Sequence, residues 1–369
     1  MKILFVANKL WDVFIFRGGI IKSLVEDGHK IKIVAPDDGR VDTGEILGAE
    51  SIDIQVDKRG VNPLRDMLLF FQLLKIYRKE RPELIYHYTI KLNIYGTLAA
   101  RILGIKSIAV LTGLGYSFVQ EGLVSKIAKA LYKFSLKGAQ EVWVLNSDDR
   151  DYLLREGIAP KEKLFILPGE GVNTEKYKAL PRERGDKEMI FLMVARAFFD
   201  KGFREYEEAA RIIQKEYPQV KFQFLGALGE GSRGGVDGKY MDKLVLEGTM
   251  EYLGITDDVP SVVKEADCVV LPSYREGISM VLLEAASMEK PIIATNVTGC
   301  REIVEDGITG FLVEPRSSES LAEAMKKFLK LNSSEKKIMG RKGREKVIDE
   351  FDERIIIEIY KKKVGKYGA

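Results

Sequence analysis

Arg196 and Lys201 stand at and just after the end of an apolar run, MIFLMVARAFFDKG (189–202), and Gly202 then precedes a helical pattern. Two cations beside the start of a helix make an anion site suited to a diphosphate, because the free N–H groups and dipole of the helix add to their charge. The simpler alternative is two solvated surface charges. A second constellation lies in LPSYREGISMVLLEAASMEKPIIAT (271–295), where Glu276 falls in a loop after a strand and Glu284 inside the apolar helix that follows. Because Glu276 precedes the helix, its carboxylate is free to face a ligand. Glu284 sits in MVLLEAA, where a carboxylate is costly unless it meets donors such as ribose hydroxyls or a protein partner. A helix-start acid favoured by the dipole is the structural alternative for Glu276, and a buried hydrogen bond is that for Glu284. Together, after a glycine-containing loop, the two favour a binding site.

The elements that must position these residues are short β-branched runs alternating with helical patterns. Strands are expected at 2–8, 30–36, 51–56, 84–88, 106–112, 141–146 and 164–168, with helices near 17–27, 63–80, 93–103, 123–138 and 148–156. The pattern resumes after PRERGDKE (181–188) with strands at 189–195, 221–226, 268–272, 291–296 and 310–313, and helices near 204–216, 238–248, 258–265, 279–288, 300–305 and 317–330. Runs such as LFVA and IAVL lack in/out alternation, as buried parallel strands do. Two successive βαβ series predict an α/β protein of two doubly wound domains. The expected hinge is 168–187, and the expected ligand cleft lies between the domains, beyond the carboxyl ends of the strands.

Arg196, Lys201, the Glu276/Glu284 pair, TNVTGCREIVEDGITGFLVEP (295–315) and ILPGEGVNTEKY (166–177) occur in an order that resembles glycosyltransferase family 4, whose GT-B fold sets two Rossmann-like domains face to face. The resemblance implies an acceptor-binding domain over 1–178, a nucleotide-sugar-binding domain over 179–350 and a C-terminal helix, 351–369, packing back on the first domain. It implies a retaining, metal-independent transferase in which Arg196 and Lys201 hold the donor diphosphate, Glu276 contacts the transferring sugar, Glu284 accepts the ribose hydroxyls, and the backbone of Gly277, Ile278, Ser279, Met280 and Val281 lines the sugar and phosphate. Positive charge prepositioned at a departing diphosphate lowers the barrier to breaking the glycosyl–phosphate bond.

The first half then holds the acceptor. Asn8 and Lys9 follow its first strand, Arg17-Gly18-Gly19 reads as the opening of a helix that suits phosphate, and His87 ends a strand. His29 reads as structural. Many relatives carry a His after the fifth strand, whereas here Thr112-Gly113-Leu114-Gly115-Tyr116 follows it. Thr112, Gly113 and Gly115 would let a bulky acceptor approach the backbone. With YTIKLNIYGTLAAR (88–101), this form looks like the subgroup of bacterial surface-polysaccharide and lipid-linked-oligosaccharide transferases. That implies a UDP-sugar donor, N-acetylgalactosamine as the first candidate sugar, and an undecaprenyl-diphosphate-linked saccharide as acceptor. A UDP-sugar 2-epimerase of the same architecture and a non-catalytic nucleotide-sugar-binding module are the alternatives.

Other chemistries find little support. Cys268 and Cys300, with no CxxC spacing, offer neither a disulfide framework nor a zinc site and point to a reducing, cytoplasmic compartment. Asp149-Arg150-Asp151 matches a metal-binding Asp-x-Asp literally, but it opens a helix, where Asp caps. Gly229–Gly234 matches GxGxxG, but further glycines separate it from the next helix, so it reads as a flexible loop and not as a dinucleotide grip. No cofactor or metal is expected. The start of the chain lacks a signal-peptide pattern, and no apolar run approaches the ~20 residues needed to span a bilayer.

Net charge is +3, but residues 55–140 hold fourteen basic and five acidic side chains, a net of +9. The helices over 63–80 and 123–137 are apolar with basic flanks; their apolar residues are expected to pack on the sheet, and the summed charge is expected to meet an anionic membrane surface. A peripheral place on the inner face of the plasma membrane follows. Nucleic acid is not an expected partner, since the aromatics do not interleave with the charge.

Overall fold

The computed structural model describes residues 1–37, 39, 47–57, 62–114, 123–183 and 188–368, in two compact units. One comprises Met1–Gly171 with Glu353–Ala369, and the other Val172–Asp352. The break after Gly171 precedes the expected position at 178 because the linker belongs to the second unit: Val172 bridges Asp352 in parallel, and the Thr174 hydroxyl donates to the Asp352 carboxylate at 2.5 Å.

The first unit contains β1 (Lys2–Val6), α1 (Leu10–Glu26), β2 (Lys30–Val34), β3 (Glu50–Ile52), α2 (Pro63–Glu80), β4 (Leu84–Tyr88), α3 (Ile90–Ile102), β5 (Lys106–Leu111), α4 (Leu123–Ser135), β6 (Glu141–Val144), α5 (Ser147–Arg155) and β7 (Leu164–Ile166). Its seven strands are parallel in the order β3-β2-β1-β4-β5-β6-β7. Ile3–Val6 and Ile108–Val110 are fully buried, as strands covered by helices on both faces must be.

The chain's last helix belongs to this unit. Its Tyr360 ring lies 4.9 Å from Tyr86 and 5.0 Å from Trp143, and its Lys363, Lys366 and Tyr367 all donate to Glu141. Those donors outweigh the cost of burial and hold the Glu141 carboxyl down at about 2.

The second unit contains β8 (Met189–Val194), α6 (Phe203–Glu216), β9 (Val220–Leu225), α7 (Gly238–Leu246), β10 (Glu251–Tyr252), α8 (Val259–Val263), β11 (Cys268–Leu271), α9 (Met280–Ser287), β12 (Ile292–Thr295), β13 (Gly310–Val313), α10 (Ser318–Lys330) and α11 (Ser333–Phe351); the helix over Glu353–Gly368 in the first unit is α12. Its parallel order is β10-β9-β8-β11-β12-β13. Strand β10 was not expected: two residues give no periodicity to read. The expected helix at 300–305 is a series of turns instead. Among the described residues, no helix is long and apolar enough to cross a membrane.

Candidate functional site

Three loops converge at the carboxyl edge of the second sheet. Arg196 follows β8 directly, and Lys201 ends a short 3-10 turn, Phe199–Lys201. Gly202 comes next with φ 77° and lies so close to the end of β11 that a Cβ there would meet the Pro272 carbonyl oxygen at 2.0 Å. Only glycine fits this position, on both counts. The Tyr274 amide then donates to the Asp200 carbonyl at 2.9 Å, lacing the β8–α6 turn to the β11–α9 loop. In consequence Lys201 Nζ lies 2.6 and 2.8 Å from the two carboxylate oxygens of Glu276.

The loop after β12 supplies the floor. Glu276 N–H donates to the Thr298 carbonyl at 3.0 Å and Ser279 N–H to that of Gly299 at 2.9 Å. Gly299 has φ 83°, and a Cβ there would meet the Glu276 backbone at 2.7 Å. Cys300 is fully buried, and burial pushes its thiol up, so it stays protonated.

Glu284 lies on α9, whose N-cap is Ser279. Burial raises its carboxyl to about 7, against the opposing pull of the Tyr177 hydroxyl and the Lys176 charge. Tyr177 comes from the segment after the unit break, which Arg344 of α11 fastens to the last turn of α9. The Arg344 guanidinium donates to the carbonyls of Thr174 and Tyr177 at 3.3 Å each and to that of Ser287. Ser287 Oγ donates to the Tyr177 carbonyl at 2.5 Å. Nothing in the helical periodicity of α9 points to Tyr177; only the fold brings it there.

Arg196 is exposed, its guanidinium 5.1 Å from the centre of the Phe198 ring. Lys201 has three N–H donors, of which the two Glu276 oxygens engage two. Arg196, Lys201, Glu276 and the first turn of α9 thus present cations, one carboxylate and helix-start amides along the carboxyl edge of one sheet. Ser279 is spent on shape: its amide is taken by Gly299, and its hydroxyl accepts from Leu282 N–H at 3.4 Å. The expectation that its amide lines a ligand is corrected; Gly277, Ile278, Met280 and Val281 remain candidates.

The Gly229–Gly234 loop is folded against this edge and is no loose flap. Val236 N–H donates to the Ala197 carbonyl and Phe199 N–H to that of Gly234, at 2.8 and 2.9 Å, and Gly229 and Gly235 pack so closely that a Cβ on either would clash with the other's backbone. The Asp-x-Asp carboxylates part company: Asp149 is buried beside the Asn146 cap of α5, while Asp151 pairs with Arg150 at 2.8 Å on the surface. Among the described residues, no group of three or more His, Cys, Asp or Glu side chains is arranged to hold a metal.

In the first unit the acceptor candidates divide. Asn8 and Lys9 are half-buried at the carboxyl end of β1, and Thr112 and Gly113 lie after β5. Gly115 falls outside the described residues. Arg17 and Gly18 do not open a helix: α1 starts at Leu10. Arg17 is 4% exposed, donates to Glu170 at 2.5 Å and lies 3.9 Å over the Tyr88 ring. It is part of the core, and Gly18 and Gly19 are interior helix positions; Gly19 lies against Glu353 of α12.

His87 is corrected as well. It is 0% exposed, hydrogen-bonded to the Tyr77 hydroxyl at 3.0 Å, and burial pulls its pKa down to about 3. Gly96 abuts its ring, where a Cβ would come within 2.5 Å. The residue that sequence reasoning missed at this edge is Thr89. It stands at the N-cap of α3 with φ 69° and ψ 159°, and its side chain makes no cap. That region is almost confined to glycine, and strain of this kind gathers at functional edges.

Residues 2–146 match the family described as "Glycosyl transferase 4-like" and residues 176–346 that described as "Glycosyl transferases group 1". The chain is 26% identical over 98% of its length to an N,N'-diacetylbacillosaminyl-diphospho-undecaprenol alpha-1,3-N-acetylgalactosaminyltransferase from Campylobacter jejuni, covering 98% of that protein. It is 27% identical over 80% of its length to a UDP-Gal:alpha-D-GlcNAc-diphosphoundecaprenol alpha-1,3-galactosyltransferase from Escherichia coli, covering 78% of that protein. Among solved structures, Alr3699/HepE from Anabaena in complex with UDP and glucose superposes with a TM-score of 0.79 at 20% identity, over 99% of both chains. Two parallel α/β sheets, the order of the motifs and matches over both halves agree: the chain belongs to glycosyltransferase family 4 and has the GT-B fold.

Proposed function

We propose that this protein is a retaining, metal-independent glycosyltransferase. It moves a hexose or N-acetylhexosamine, with N-acetylgalactosamine the first candidate, from a UDP-sugar to an undecaprenyl-diphosphate-linked saccharide at the inner face of the plasma membrane. The observation that carries the reading is the clamp of Lys201 on Glu276, 2.6 Å at its shorter contact, with Arg196 after β8 at the same sheet edge.

In this reading the diphosphate lies against Arg196, the remaining N–H of Lys201 and the first amides of α9. Glu276 meets the sugar's hydroxyls, and Glu284 takes those of the ribose. The bond between the anomeric carbon and the β-phosphate oxygen breaks, and negative charge develops on that oxygen, where the two cations stabilise it. The acceptor hydroxyl attacks from the same face and passes its proton to the departing phosphate oxygen, so UDP leaves and no side-chain base is needed. This fits a β5 loop without a histidine. Two fixed cations and a helix end supply the charge that a metal would otherwise bring.

The Escherichia coli relative is, by its name, an alpha-1,3-galactosyltransferase that uses UDP-Gal. UDP-galactose carries its sugar in α linkage, so an alpha-linked product retains configuration, which supports retention here. The test incubates the full chain with a panel of UDP-sugars and a polyprenyl-diphosphate-linked saccharide, with and without EDTA, and reads products by mass spectrometry and proton NMR. An α-linked product formed equally with EDTA is expected. A free epimerised sugar would identify the 2-epimerase, and UDP binding with no product the non-catalytic module.

A further inference from the structure

Tyr177 is fastened beside α9 by its backbone. Asn173 Oδ1 accepts the amides of Glu175 and Lys176 at 3.1 and 2.7 Å, and Tyr177 N–H donates to the Asn173 carbonyl at 2.9 Å, so residues 173–177 form a closed turn. Ser287 Oγ and the Arg344 guanidinium both donate to the Tyr177 carbonyl, and Arg344 reaches the carbonyls of Thr174 and Ser287 as well. Ser287 lies three residues after Glu284 on α9, on the same face and about one turn further on. The half-buried Tyr177 ring reaches from that anchor to the Glu284 carboxylate, where its hydroxyl makes a hydrogen bond.

The hydroxyl is not needed to hold the segment. The turn is held by main-chain atoms and by the side chains of Asn173, Ser287 and Arg344, all of which a phenylalanine at 177 would leave in place. What the hydroxyl adds falls on Glu284. Burial, and then the charge of Glu284 itself, push the phenol up, which keeps it a hydrogen-bond donor. The other charge acting on Glu284 is that of Lys176, exposed in the same turn. A buried carboxylate that served the fold alone would be paired with a cation. This one is met by a phenol, and a carboxylate offers about four acceptor positions, so most are left for a ligand.

We propose that Tyr177 is a positioning residue of the donor site: its hydroxyl fixes the plane of the Glu284 carboxylate, so that the two ribose hydroxyls of a nucleoside diphosphate dock on it together. A vicinal diol presents two donors to two oxygens, which requires the carboxylate to be held in one orientation; a 2′-deoxyribose presents only one. The same hydrogen bond favours the charged form against the opposing effect of burial. Tyr177 thereby makes the site select ribose over deoxyribose. The inference rests on the ribose role of Glu284 proposed above.

The test is calorimetric titration of wild type, Tyr177→Phe and Glu284→Gln with UDP and 2′-deoxy-UDP at pH 7, 8 and 9. The diphosphate is common to both ligands, so the ratio of their affinities isolates the ribose contact. Wild type should favour UDP by about tenfold or more at pH 8, the scale of a charge-assisted hydrogen bond. Tyr177→Phe should lose most of this preference at pH 8 and regain part of it by pH 9, because loss of the hydroxyl raises the pH at which Glu284 ionises by about one pH unit. Glu284→Gln should lack the preference at every pH. A wild-type preference and pH profile in Tyr177→Phe, with the preference lost in Glu284→Gln, overturn the role of Tyr177 and leave that of Glu284 standing. A preference retained in Glu284→Gln overturns the ribose reading itself. Equal weakening of both ligands in Tyr177→Phe at every pH makes Tyr177 a packing residue and overturns the proposal.

Discussion

Lys201 Nζ lies within 2.8 Å of both carboxylate oxygens of Glu276, although 75 residues separate the two in the chain. The contact exists because Gly202 lets the β8–α6 turn close onto Pro272 and because Gly299 lets the β12 loop pass under Glu276. A lysine held in this way keeps its position while a third N–H stays available to a phosphate, so little ordering remains to be done when the donor arrives.

Lys201→Ala should therefore weaken UDP binding by about ten- to a hundredfold, the range of a charge-assisted contact, while uridine binding changes little. Titration calorimetry with UDP, UMP and uridine checks this. An equal loss for all three ligands would show that the substitution disturbs the loop and not the diphosphate contact.

Uridine binding should strengthen with rising pH. Glu284 is held protonated up to about 7, and only its ionised form accepts both ribose hydroxyls. Affinity for uridine, which has no phosphate to titrate in this range, should climb from pH 6 to 8 in wild type and stay flat in Glu284→Gln, at a lower value. An unchanged slope in the variant would remove Glu284 from the nucleotide site.

Acid stability should depend on His87. Its folded pKa, about 3, lies below the unfolded value of 6.5, so its contribution is full above 6.5 and lost as pH falls from there towards 3. Glu284 works in the opposite sense: its raised pKa makes it favour the fold increasingly as pH falls from about 7 towards 4.5. Comparison with His87→Gln isolates the histidine. Denaturant unfolding of the variant should show an acid-dependent loss smaller by a few kcal/mol, the scale of a pKa displaced this far. Identical pH slopes would contradict the buried, neutral assignment.

Thr89→Gly should stabilise the protein. Relief of about 1–3 kcal/mol of strain exceeds the ~1 kcal/mol entropic cost of a glycine, so Tm should rise by a few degrees. A fall in Tm would mean that the threonine side chain contributes more than its backbone costs.

That Arg196, Lys201 and Glu276 share one sheet edge could be read in the chain because each follows a strand, and in a parallel sheet those positions collect at one edge. Those three needed only the order of elements; Glu284, inside α9, was legible as a carboxylate in an apolar helix, but its surroundings were not. Tyr177 could not be found that way, since Arg344 on a distant helix sets it beside Glu284. His87 ends a strand and could have faced ligand or core; the space left by Gly96 decided for the core. Arg17-Gly18-Gly19 looked like the opening of a helix because paired glycines disfavour helix interiors. The helix runs through them, and Gly19 is where α12 comes close. The expectation that the apolar residues of α2 pack on the sheet fails for Leu64, Met67, Leu68 and Phe71, which are exposed; they have the periodicity of a core face, and pattern alone cannot separate a buried stripe from an exposed one.

The central claim is that Glu276, clamped by Lys201, serves the transferring sugar and not the nucleotide. Turnover and UDP affinity measured on the same preparation of Glu276→Ala test it most directly. The account predicts turnover lowered by roughly a thousandfold or more, the cost of a contact made in the transition state, with UDP still bound within a few-fold of wild type. Full turnover in that variant would contradict it.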